Sequence, residues 1–172
     1  WWYDTGNLET SDERHFGFQL TFFRRGLIPP QERILGRDSA WAFDQVYLAH
    51  FALTDVSGKE FYHFEQFGRG AAGLAGAQNT PYKVWLSNWT VEQTGEATYR
   101  LYAAQEAILL DLNLKDVKGP ILQGDNGYSQ KGPEPGNASF YFSQTRLSAD
   151  GTVEVDGQKY SVTGYAWMDH EY

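Results

Sequence analysis

The feature that most constrains this chain is alternation with a period of two. Residues 107–116 read AILLDLNLKD, with Ile108, Leu110, Leu112 and Leu114 at one parity and Asp111, Asn113 and Lys115 at the other. Successive side chains of an extended strand point to opposite faces, so the pattern describes a strand with one buried and one wet face. RHFGFQLTFF, residues 14–23, repeats it: Phe16, Phe18, Leu20 and Phe22 stand against His15, Gln19 and Thr21. AFDQVYLAHFALTD, residues 42–55, is apolar on both faces and suits a strand covered on one side and lining an interior on the other.

Turn chemistry separates these runs. TSDER, DVSGKE, SADGT and VDGQK each place Gly, Asp or Ser between alternating segments, and Asp-Gly is a strong hairpin signal. The runs predict strands near 2–9, 15–24, 41–54, 59–67, 82–86, 88–94, 96–104, 107–115, 138–148, 151–156 and 159–170. Sequential strands with short turns form an antiparallel meander, and this many close most economically into a barrel without exposed edges. Two stretches differ. RGAAGLAGAQNTPY, from Arg69, is small and Gly/Ala-rich, which fits a short helix over Arg69–Gln78 or a loop better than a strand. GPILQGDNGYSQKGPEPGN, residues 119–137, predicts a packed loop, because Ile121, Leu122 and Tyr128 need cover.

Length and charge narrow the classes of function. The 172 residues suit one domain with a sizeable core, and 16% aromatics favour half-buried β structure. A formal charge of −8 argues against nucleic acid and anionic membrane surfaces as partners. No apolar run approaches the ~20 residues of a membrane span. Without cysteine there are no disulfides, no thiolate catalysis and no Cys-ligated metal. The chain opens without methionine and stops in what reads as a strand, so it is expected to be a domain cut from a longer protein.

Longer blocks are more specific. WWYDTGNLET with FGFQLTFFR, then LQGDNGYSQKGPEPGNASFYFSQTRL, then VTGYAWMDHE, resemble in order and spacing the AttH and carotenoid 1,2-hydratase family, whose members are also called predicted secreted hydrolases. The resemblance covers essentially the whole chain. It implies an all-β, antiparallel, lipocalin-like (calycin-type) barrel over residues 1–172, the first of two tandem barrels. It further implies export to the periplasm or cell envelope, a second lipocalin-like domain as partner, and either hydration or cyclisation of polyene-like substrates or association with a transport system. No G-x-S-x-G nucleophile elbow occurs, so the hydrolase label finds no support in the residues.

Candidate site residues cluster at the two ends. In WMDHEY, Trp167, Asp169 and Glu171 share one face of a strand, and Met168, His170 and Tyr172 the other. Burial beside an inward Trp167 would raise the Asp169 pKa and make it a general acid for an apolar substrate, an acidic role that the resemblance also implies. His170 then faces outward with Glu171 at the contact with the second barrel. The alternative is a strand-end pair that satisfies backbone donors. Of Trp1 and Trp2, one is expected to plug the barrel and the other to line its cavity.

Further candidates for ligand contact are Tyr47, His50, His63, Trp85 and Tyr128, with Trp41 and Trp89 as aromatic walls. His50 faces His63 if the intervening turn is Val56-Ser57, or Glu65 if it is Ser57-Gly58. Both histidines are expected inside a wet cavity, and neither a metal site nor a cofactor is expected. Three function classes follow: a binding module for an elongated apolar, isoprenoid or lipid-like molecule, a hydratase or cyclase using the same cavity plus a buried acid, and a solid docking barrel. Space inside the barrel separates the first two from the third.

Overall fold

The computed structural model describes residues 1–27, 43–134 and 136–172, so Trp41 lies outside the described residues. The strands run β1 (Trp2–Glu9), β2 (His15–Gly26), β3 (Gln45–Asp55), β4 (Glu60–Arg69), β5 (Ala75–Asn79), β6 (Tyr82–Leu86), β7 (Trp89–Gly95), β8 (Thr98–Gln105) and β9 (Ile108–Asp116), and continue with β10 (Pro120–Leu122), β11 (Tyr128–Gln130), β12 (Ala138–Val155) and β13 (Gln158–Glu171). All pairings are antiparallel, in the order β4-β3-β2-β1-β13-β12-β9-β8-β7-β6-β5. Two meanders, β1–β4 and β5–β9, are joined by the β12–β13 hairpin, which pairs with β9 on one side and β1 on the other. The result is a nearly closed, lipocalin-like barrel of eleven strands, open between β4 and β5.

Alternation decides what faces inward. Phe16, Phe18, Leu20 and Phe22 of β2, Phe51 and Leu53 of β3, and Ile108, Leu110, Leu112 and Leu114 of β9 form one buried cluster. Trp89 is fully buried within it, edge-on to Phe51 at 5.7 Å, and its indole N–H donates to the Ala104 carbonyl at 3.1 Å. That bond satisfies the one polar atom which burying an indole strands.

Two local expectations are corrected. Residues 69–78 are not helical: Ala75–Asn79 form an edge strand. Gly76 lies beneath the Trp85 ring, and a Cβ there would come within 2.5 Å of it, so the small residues serve close cross-strand packing. The two predicted strands 138–148 and 151–156 are a single strand, β12, of 18 residues. Only one of the two Asp-Gly pairs turns the chain. Asp156 and Gly157 have φ of 50° and 81° and join β12 to β13. Asp150 and Gly151 sit mid-strand, where a Cβ on Gly151 would strike the Asp111 carbonyl of β9. A glycine there answers to backbone approach instead of to a turn.

The inward–outward register is directly testable. Phe51→Ala empties a fully buried site and should cost about 3–5 kcal/mol in urea unfolding. Phe61→Ala removes a ring that is 61% exposed on β4 and should stay within about 0.5 kcal/mol of wild type.

Candidate functional site

The two chain ends meet. Strand β1 pairs with β13 so that Trp2 lies opposite His170, Tyr3 opposite Asp169 and Asp4 opposite Met168. Parity then sorts these residues onto two walls, and it reverses the expectation for β13. Ala166 and Met168 are buried inside, whereas Trp167 is 39% exposed on the outer wall. Asp169 shares the parity of Trp167 and is therefore half-buried on the outside, not carried into the barrel.

His170 turns inward. Its ring stacks on buried Trp2 at 5.0 Å and meets Phe142 edge-on at 5.4 Å. Nδ1 donates to the Trp1 carbonyl at 2.9 Å, which sets the tautomer. Burial lowers the His170 pKa, so the ring is neutral and serves as an aromatic wall at the barrel rim. The expected outward contact surface at His170 is thus replaced by packing, because Trp2 takes the inner position opposite it.

On the outer wall Asp169 is held by hydroxyls. Its Oδ1 accepts from Tyr141 at 3.1 Å and from Ser143, whose Oγ in turn accepts from the Gln123 amide at 2.9 Å. Ser143 and Tyr141 come from β12, and Ser143 pairs directly with Asp169. Trp1 tilts against Tyr141 at 6.0 Å, and Lys131 stands over the Tyr141 ring while bonding Glu171 at 2.8 Å. An open groove of about 630 Å³, lined by Asn7, Glu9, His15, Ser148 and Tyr165 among others, runs along the same wall. On β13 the groove is bordered by Thr163, Gly164 and Tyr165, while Trp167 and Asp169 lie further along the same outer face.

Inside the barrel stands a second acid that sequence reasoning passed over. Asp4 is 1% exposed, and its Oδ2 has no hydrogen-bond partner among the described residues. It lines a gap with Tyr82, Val91, Tyr99, Leu114, Gln144, Leu147 and Met168 that has no room for a water molecule. Gln144 reaches Tyr99 at 3.2 Å and Asp116 at 2.8 Å, and the Tyr82 hydroxyl is also unpartnered. Its signal was available: Asp4 shares the parity of Trp2 and Leu8.

The other candidates do not converge on this end. Tyr47 is buried inside and donates to Gln45 at 3.0 Å. His50 and His63 lie on the outer wall instead of in a cavity, because the inner positions of β3 and β4 go to residues such as Phe51 and Phe64. The register places His50 opposite Glu65, at 3.1 Å, and leaves His63 stacked on Phe61. Among the described residues no three His, Asp or Glu side chains gather as a metal site. Trp85 packs on the outer wall with its N–H on the Gly73 carbonyl, and exposed Tyr128 meets Phe140 edge-on. Ser143, Tyr141 and Gln123 left no signal in the sequence, since their meaning lies in contacts 20 or more residues away.

Comparisons with known proteins agree with this architecture. A family model described as AttH-like matches residues 1–172. The crystal structure of an AttH protein from Nitrosomonas europaea is 34% identical with a TM-score of 0.85, covering 99% of this chain and 50% of that one. Kievitone hydratase from Nectria haematococca shares the fold at 13% identity and a TM-score of 0.74, with 99% and 47% covered. The chain thus spans about half the length of either solved structure. Curated proteins provide no match.

Asp4 makes a pH prediction. Burial, and secondarily the charge of Asp169, push its carboxyl up to about 8. An unfolded aspartate titrates near ~3.9, so between these values the native state holds a proton that the unfolded state has lost. Stability therefore falls as pH rises from about 4 to about 8 and levels off beyond. Asp4→Asn cannot ionise. Its urea stability should gain on wild type by more than about 2 kcal/mol between pH 5 and pH 8. Parallel curves would mean that Asp4 is already ionised in the native barrel.

Proposed function

The chain belongs to the AttH-like family, and from that premise we propose that it presents an elongated, apolar molecule of isoprenoid, polyene or lipid-like type to Asp169 on the outer wall, where water adds across a carbon–carbon double bond. One observation carries this reading. Asp169 is a half-buried carboxyl pinned at one oxygen by two hydroxyls, beside the exposed indole of Trp167 and the ring of Trp1 that packs on Tyr141.

The chemistry follows from that arrangement. Asp169 transfers a proton to one alkene carbon, and the hydroxyls of Ser143 and Tyr141 stabilise the carboxylate left behind. Positive charge on the other carbon faces the carboxylate and the aromatic rings, which attract cations. Water bonds to that carbon and gives its proton back to Asp169, restoring the acid. The reading is supported by the hydratase among the structural neighbours and by the exposed aromatic rings on the same wall as the acid. It differs from catalysis inside the barrel, where the gap beside Asp4 cannot admit even water.

A second reading, a non-catalytic docking barrel, rests on a different observation. Phe140 and Tyr172 stack at 5.8 Å and are both more than half exposed at this same end. In either reading the partner is a second lipocalin-like domain, in keeping with relatives twice as long, and export to the periplasm or cell envelope follows from the family resemblance.

The full-length protein should be offered acyclic polyenes, prenylated phenols and unsaturated fatty acids in ¹⁸O-labelled water. Wild type is expected to form a labelled alcohol from one class. Asp169→Asn should lower that turnover by about 10²-fold or more, while saturable quenching of tryptophan fluorescence by the same compound is kept. Turnover undiminished in the variant would remove Asp169 from the chemistry. Binding without turnover in wild type would leave a binding module, and neither binding nor turnover would favour the docking reading.

A further inference from the structure

The glycine-rich turn QGDNGY, residues 123–128, links β10 to β11 and is bonded through its backbone to the edge of β12. Gln123 N–H donates to the Tyr141 carbonyl, Gly127 N–H to the Gln123 carbonyl and Tyr141 N–H to the Gly127 carbonyl, at 3.0, 2.9 and 2.8 Å. Asp125 and Tyr128 exchange two backbone bonds of 2.9 Å, which tightens the turn further. Gly124 has φ of 64° and a Cβ there would strike the Tyr128 carbonyl, so the turn requires glycine. A turn tied at so many points delivers the Gln123 side chain to one place, the buried Ser143 hydroxyl.

Donor and acceptor identities settle what this contact does. A serine hydroxyl has one proton to give, and an amide –NH₂ can only donate. With its oxygen accepting from Gln123, Ser143 directs its proton to Asp169 Oδ1, the oxygen that also accepts from Tyr141. Oδ1 is then occupied twice, while Oδ2 accepts no hydrogen bond among the described residues. We infer that Gln123 is a positioning residue: held by the glycine turn, its amide fixes the direction of the Ser143 proton and leaves Oδ2 of Asp169 as the oxygen presented to substrate.

This inference rests on the reading of Asp169 as the reacting acid, but its test needs no substrate. The titratable and charged groups around Asp169 are Tyr141 and Glu171 with its partner Lys131 on the same wall, and Asp4, which keeps its proton, through the sheet. In the full-length protein, with aspartate labelled at ¹³Cγ and the Asp169 signal assigned by its loss in Asp169→Asn, the carboxyl is titrated by NMR. Gln123→Met keeps the size and removes the donor, so the Asp169 midpoint should rise by roughly half a pH unit. Gln123→Glu offers an acceptor that draws the Ser143 proton away, and the rise should reach about one unit or more. Both shifts should vanish in a Ser143→Ala background, which isolates the relay from general loosening. Midpoints equal to wild type in both variants, or equal shifts with Ser143 absent, would overturn the positioning role and leave the assignment of Asp169 to its own turnover test.

Discussion

Everything at the candidate site depends on the pairing of the first strand with the last. β1 and β13 run together over eight residue pairs, from Trp2 opposite His170 to Glu9 opposite Thr163. The approach is close because neither strand carries a side chain where the backbones crowd. A Cβ on Gly6 would lie 2.6 Å from the Tyr165 carbonyl oxygen, and one on Gly164 would strike the carbonyl of Asn7. This ladder sets Trp2 on His170, Tyr3 beside Asp169 and Asp4 beside Met168 in one step. A slip of one residue would exchange the two walls and move each acid to the opposite side.

The same ladder separates two carboxyls by one thickness of sheet. Asp4 faces a gap too tight for water and keeps its proton by burial. Asp169 faces outward, where two hydroxyls accommodate a negative oxygen. The two acids are linked through the sheet, since Asp169 adds to the burial that raises the Asp4 pKa. Aspartate's short stem makes this possible: it can sit at a strict strand position without reaching round the edge of the sheet.

Much of the fold was legible in the sequence, because a period of two leaves little freedom. The faces of β2 and β9 follow from Phe16–Phe22 and Ile108–Leu114 alone, and the order of turns implies the meander. The number of strands implied closure into a barrel, and the family resemblance added its lipocalin-like type. Parity was also sufficient to place Trp167 and Asp169 on one wall, but not to say which wall, and the size of Trp167 suggested the wrong one. Met168, the neighbour with no polar atom to satisfy, took the inner place. Asp150-Gly151 misled for a related reason: the dipeptide marks a need for small or left-handed backbone, and only the facing strand reveals which. Asp4 could have been found by its parity with Trp2. The Gln123–Ser143–Asp169 chain could not, since it joins three segments only after the barrel has closed.

Strand β12 serves two structures at once. Its C-terminal half, from Leu147, belongs to the barrel through β9, and its N-terminal half, beyond the irregularity between Gln144 and Leu147, carries β10 and β11 instead. Residues 117–137 are thus an excursion mounted on a strand that the barrel already fixes at its far half. Such an excursion can change without disturbing a single barrel pairing, while its Gln123 and Lys131 reach Ser143 and Tyr141, the partners of Asp169. The architecture uncouples inheritance of the scaffold from variation of the surface next to the acid. Divergent members of such a family can acquire different specificities by redrafting one segment and leaving the staves of the barrel untouched.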